Sequence, residues 1–227
     1  MDVQAKASRI KLVLLDVDGV LTDGKIVLRA DGSESKRFDI KDGLAIVWAQ
    51  RAGLTVGFLS ARTSATTLHR AAQLGVTLVH QGVTSKLETY EQISGDLCED
   101  DDEVAYMGDD IVDLPVLARA GLSAAPADAS LDVRNRVDWV SSAKGGDGAI
   151  RELIEMILRA QNRWDDIVAA YVAEGHGDRR PVLDTPERNG ANESSAGVPR
   201  PLRFGEPGPS SPGSVASAGR GPRGVES

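Results

Sequence analysis

The apolar run Leu12-Val13-Leu14-Leu15 ends in two acids spaced two residues apart, Asp16 and Asp18, followed at once by Gly19. A short run rich in Leu and Val reads as a strand buried on both faces. Acids at its carboxyl end lose hydration unless a cation joins them. The chemistry that wants such a pair is phosphoryl transfer to a carboxylate, with Asp16 attacking and Asp18 handling the leaving-group proton. Three further stretches supply what a phosphate needs. Phe58-Leu59-Ser60-Ala61-Arg62 offers a small hydroxyl and backbone amides that can hold a phosphate oxygen. Lys86 falls in the first turn of an expected helix, electrostatically the wrong end for a cation, and so answers to an anion. Gly108-Asp109-Asp110-Ile111-Val112-Asp113 brings up to three more acids, of which Asp110 also suits a helix cap. Like charges about 4 Å apart repel by roughly 4 kcal/mol at an effective dielectric near 20, so Asp16, Asp109 and a phosphate call for a divalent cation. An all-oxygen donor set selects Mg2+.

Strands and helices must alternate to deliver these residues to one place. Strands are predicted at 10–15, 55–59, 77–80, 103–107, 122–125 and 138–140, and helices at 42–52, 64–74, 85–97, 110–120 and 146–173. Alternation of this kind predicts an α/β fold, a Rossmann-like parallel sheet with helices on both faces and ligands bound outside the carboxyl ends of the strands. Residues 25–28 and 34–39, joined through Ala30-Asp31-Gly32, depart from the pattern and read as a β-hairpin inserted after the first strand. Trp164, Ile167, Val168 and Tyr171 are expected to form the packing face of the last helix.

Composition narrows the class. The 227 residues contain no apolar stretch long enough to span a bilayer, the first seven lack a secretory pattern, and Cys98 is the single cysteine, so a cytoplasmic protein is expected. The net charge is −8; seven Arg and six acids from Gly175 onward leave −9 on residues 1–174. An acidic body without a basic stripe argues against nucleic acid and membrane partners. Eight of the ten prolines fall between Pro181 and Pro222, so 1–174 reads as one domain and 175–227 as a disordered Pro/Gly/Ser-rich tail. The acidic run Glu99-Asp100-Asp101-Asp102-Glu103 reads as a solvated connection, His69 and His80 as surface residues, and Cys98 as a small buried hydrophobe.

Asp16-Val17-Asp18-Gly19-Val20, Ser60, Lys86 and Gly108-Asp109-Asp110-Ile111-Val112-Asp113 resemble, in order, the four motifs of the haloacid dehalogenase superfamily. The resemblance implies an aspartyl-phosphate mechanism. Asp16 would be the nucleophile and Asp18 the general acid/base; Ser60, the Ala61 amide and Lys86 would hold phosphate. Asp16, the Asp18 main-chain oxygen and Asp109 would bind Mg2+, with Asp110 and Asp113 supporting them. Only a hairpin, a helix and a strand fit between Asp18 and Ser60, and one helix between Lys86 and Asp109, so no cap domain is expected. Leu21-Thr22-Asp23-Gly24, Phe38-Asp39-Ile40-Lys41-Asp42-Gly43, Gln81-Gly82 and Gly145-Gly146-Asp147-Gly148 are similar to the cap-less branch that contains 3-deoxy-D-manno-octulosonate 8-phosphate phosphatases, enzymes of lipopolysaccharide sugar biosynthesis. That branch implies a small phosphorylated acidic sugar as substrate, contacts from Arg62, Lys41 and the 145–148 loop, and a homotetramer whose neighbouring subunits share active sites. Asp147 stands where the branch usually has Arg. A nine-carbon sialic-acid-like 9-phosphate is the alternative substrate, and a phospho-accepting regulatory domain without turnover is the alternative of another class.

Overall fold

In the computed structural model, residues 2–98 and 100–174 are described. The tail expected from Gly175 lies outside them. The central sheet holds six parallel strands: β1 (Leu12–Leu15), β4 (Thr55–Ser60), β5 (Leu78–Gln81), β6 (Val104–Met107), β7 (Leu122–Ala125) and β8 (Trp139–Val140), in the order β5-β4-β1-β6-β7-β8. From β1 the chain builds outward through β4 to β5, then returns to the other side of β1 with β6. The strand order therefore reverses between β1 and β6, which is where such sheets bind ligands.

Each central strand splits its side chains between two cores. Val13, Leu15, Ala105 and Met107 join one apolar cluster, while Leu12, Leu14, Val104 and Tyr106 join the other. The first is closed by α1 (Val3–Ala7), α2 (Ile40–Arg51), α3 (Ala65–Leu74), α7 (Ala149–Ala160) and α8 (Trp164–Glu174); the second by α4 (Lys86–Leu97), α5 (Leu114–Leu117) and α6 (Leu131–Arg134). On α7 the stripe Ile150, Leu153, Ile154, Ile157, Leu158 is wholly buried, as helical spacing requires of a core-facing surface.

Several expectations need correction. The helix expected over 146–173 is two helices: Asn162, at φ 56°, turns the chain into the left-handed region, and α8 starts anew at Trp164. Trp164, Ile167 and Tyr171 pack as expected, but Val168 is exposed. The helix expected over 110–120 is a single tight turn, Ile111–Asp113, continued by the short α5. The acidic run is more than a solvated connection: Asp101 accepts from the Tyr90 hydroxyl (3.1 Å) and from Arg119, and Asp102 from Arg9 (2.5 Å). Cys98 is only partly buried, against the second core. The hairpin is present as the antiparallel pair β2 (Val27–Leu28) and β3 (Glu34–Ser35), with Lys36 to Asp39 outside the pairing. Among the described residues no helix is long and apolar enough to cross a membrane.

Candidate active site

The parallel register sets the site. Leu15 pairs with Phe58 on one side and Met107 on the other, so the next residue, Asp16, emerges between two neighbouring strand ends carrying Ser60 and Asp109. After β1, residues Val17–Leu21 form one wide helical turn broken at Asp18 and Gly19. Gly19 has φ 95°, and a methyl group there would lie 2.1 Å from Asp109 Oδ2; only glycine permits both the backbone and the close approach of that carboxylate. Asp109 is thereby seated against the peptide that follows Asp18.

A buried ion cluster fills the switch point. The Lys86 ammonium lies 2.9 Å from Asp16 Oδ1 and donates to Asp113 Oδ1 at 2.7 Å, so two carboxylates hold it in the cluster. Asp113 is wholly buried. Its Oδ1 also accepts from the Tyr106 hydroxyl (2.6 Å), and its Oδ2 accepts from the backbone N–H groups of Asp109 (3.1 Å) and Asp110 (3.2 Å). Asp110 caps the turn that follows, accepting from Ile111 N. Ser60 is buried at the end of β4 and its hydroxyl accepts from Arg62 N (3.2 Å); Ala61 beside it is exposed.

Carboxylate oxygens of Asp16, Asp109 and Asp113 lie within 4.8 Å of one another, close enough to share a metal ion. Asp113 already accepts four hydrogen bonds, so the carboxylates left for a cation are Asp16 and Asp109. Their electrostatics say the same. Burial, then the Asp113 charge, raises the pKa of Asp16 to about 6 against the pull of Lys86. Burial, then the charges of Asp16, Asp113 and Asp110, pushes Asp109 to about 8. Burial opposes the Lys86 charge, but Asp16 and Asp113 outweigh it and raise its pKa. Acids crowded to this degree bind protons until a cation replaces them.

Sequence reasoning missed several residues here. Lys36, just past β3, donates to Asp18 Oδ1 at 2.6 Å with its side chain only 1% exposed. Tyr106 reads in the sequence as one more core residue of a strand, and its hydroxyl contact is invisible there. Thr22 is buried and braces the broken turn, donating to Val17 O (3.3 Å) and accepting from Gly24 N (3.3 Å). Arg62 is brought to the site, with Nε 3.7 Å from Asp18 Oδ2 and Nη2 donating to Glu34 at 3.2 Å. Lys41 and Asp147 are exposed and meet none of the central carboxylates described above. The Arg151 guanidinium lies over the Trp48 ring at 4.0 Å and pairs with Glu155. The loop bearing Asp147 does touch the site: a methyl at Gly145 would come within 1.8 Å of Gly19 O, and Gly146 N donates to Val20 O (2.9 Å). A cleft of about 420 Å3 lined by Trp48, Arg51, Tyr171 and their neighbours lies toward the start of β4, at the opposite edge of the sheet, and holds none of this chemistry.

A parallel sheet with an aspartate pair after its first strand, a hydroxyl at the end of the neighbouring strand, a buried lysine and a second acid cluster across the switch point defines a class. The chain belongs to the haloacid dehalogenase-like hydrolases, whose family model matches residues 57–153. Within that class it is 40% identical, over 165 residues covering 73% of this chain and 88% of the relative, to 3-deoxy-D-manno-octulosonate 8-phosphate phosphatase KdsC of Escherichia coli. A phosphatase of that name from Moraxella catarrhalis, solved with magnesium, phosphate and KDO, superposes with a TM-score of 0.73 at 34% identity, covering 74% of this chain and 97% of the other. The cobalt-bound enzyme of Haemophilus influenzae superposes with a TM-score of 0.68 at 40% identity, covering 74% and 99%.

Proposed function

We propose that residues 1–174 form a Mg2+-dependent phosphatase that hydrolyses 3-deoxy-D-manno-octulosonate 8-phosphate through an aspartyl-phosphate on Asp16. The observation that carries this reading is the Asp16–Lys86–Asp113 cluster at the switch point, with Asp109 beside it. The sugar follows from the relatives, one of which was solved with Mg2+, phosphate and KDO.

Asp16 attacks phosphorus while Asp18 gives a proton to the departing sugar oxygen, so a P–O bond to carboxylate forms as the P–O bond to sugar breaks. Asp18 then takes a proton from water, whose oxygen attacks the same phosphorus and frees Asp16 and inorganic phosphate. Ser60, the Ala61 amide and Lys86 hold the phosphoryl oxygens, and Asp113 keeps Lys86 and the Asp109 backbone in place. Asp16, Asp109 and the Asp18 carbonyl would hold Mg2+, which would neutralise the charge shared by phosphate and carboxylates. Arg62 stands at the mouth of the site as a cation for an acidic sugar. We further propose a cytoplasmic homotetramer with shared sites, supported by the outward-facing aliphatics Val27 and Leu28 on the hairpin.

Phosphate release from a panel of sugar phosphates with Mg2+ tests this. The octulosonate 8-phosphate is expected to give the highest kcat/KM; a faster nine-carbon 9-phosphate reassigns the substrate, and a single phosphorylation per chain without turnover rejects the enzyme.

A further inference from the structure

Asp18 is held unevenly. Its Oδ1 receives the Lys36 ammonium at 2.6 Å, while its Oδ2 is buried and accepts no hydrogen bond from the described residues. The Arg62 Nε at 3.7 Å is too far to donate to it, and Arg62 spends its other contact on Glu34. Lysine is rarely buried unless paired, and burying one such pair is a poor way to gain stability. Lys36 also comes from outside the sheet, directly after the two-residue strand β3, so the hairpin delivers it across the front of the site.

We propose that Lys36 is a positioning residue: it fixes one oxygen of Asp18 so that the unpaired Oδ2 faces the leaving-group oxygen of the substrate. This rests on the reading of Asp18 as the group that transfers the proton. A single partly buried hydrogen bond thus ties the placement of the hairpin to proton transfer, and the hairpin does more than cover the site.

The experiment measures kcat and KM for the best substrate of the panel in Lys36→Met, Lys36→Gln and Lys36→Arg, with melting temperatures, and repeats Lys36→Met in an Asp18→Asn background. Lys36→Met is expected to lower kcat about 30-fold, a part of the hundredfold or more that proton transfer supplies, with KM changed by less than about threefold. Lys36→Gln, which keeps a donor, and Lys36→Arg, which also keeps the charge, are expected to recover part of the loss. In the Asp18→Asn background the same change is expected to cost less than about twofold, because coupled residues are not additive. An unchanged kcat, a loss carried by KM, or an equal loss in both backgrounds overturns the proposal while leaving the phosphatase reading intact. Wild-type protein that hydrolyses no phosphate ester overturns both. If Lys36→Met does not fold, Lys36→Gln against Lys36→Arg carries the same comparison.

Discussion

Asp16 and Asp109 keep their protons to a higher pH in the fold than a solvated aspartate does. Both carboxyls have raised pKa values, about 6 and about 8, because they are buried among like charges. A carboxyl whose pKa is higher folded than unfolded binds more protons in the native state. Its contribution to stability is full below about pH 4 and falls as pH rises toward 6 for Asp16 and 8 for Asp109. Mg2+ competes for the same oxygens, so its stabilising effect grows over the same window. Thermal melts with and without saturating Mg2+ are expected to show a larger Mg2+-induced rise at pH 8 than at pH 5, and Asp109→Asn is expected to flatten that difference. These acids, with Ser60 and Lys86, were legible in the sequence because each sits at a strand end or helix start that local patterning marks. Lys36 was not, because it lies 18 positions beyond Asp18, across loop and hairpin, and nothing periodic links them.

The elements were legible to the degree that local pattern decides them. Strand β7 follows the expected residues 122–125, since an apolar run between turns has one reading. The break at Asn162 was hidden because apolar residues continue on both sides of it and asparagine is a weak stop signal. The brace between the 145–148 loop and the turn after β1 was also hidden, since it depends on two glycines meeting another segment's backbone. Its effect is predictable: Gly145→Ala places a methyl where Gly19 O lies, so the turn carrying Asp18 must shift. An ångström of displacement at a reacting group costs on the order of a hundredfold in rate. Gly145→Ala is expected to lower kcat by about that factor in steady-state assays, whereas Gly32→Ala, at a hairpin tip with open space around it, tests whether hairpin strain alone has the same effect.

At the scale of the molecule, a site without a cap needs something else to exclude water from the reacting phosphate. The insertion after β1 supplies only the hairpin, and among the described residues a one-turn helix is all that separates α4 from β6. A tetramer in which hairpins pair and each 145–148 loop reaches a neighbour would close it. Light scattering is expected to find a tetramer at assay concentration; an active monomer contradicts shared sites. Asp147, exposed and anionic, then opposes an anionic substrate, and Asp147→Arg is expected to lower KM about three- to tenfold with little change in kcat. This level was least legible, because a single chain shows which surfaces are apolar but not what covers them.

The covalent role of Asp16 is tested most directly by phosphate release from Asp16→Asn beside wild type, at equal protein and saturating Mg2+, with melting curves to confirm the fold. An amide is a far weaker nucleophile than a carboxylate, so turnover is expected to fall at least about a thousandfold in a folded protein. Activity within about tenfold of wild type, a barrier change of only about 1.4 kcal/mol, would contradict the account.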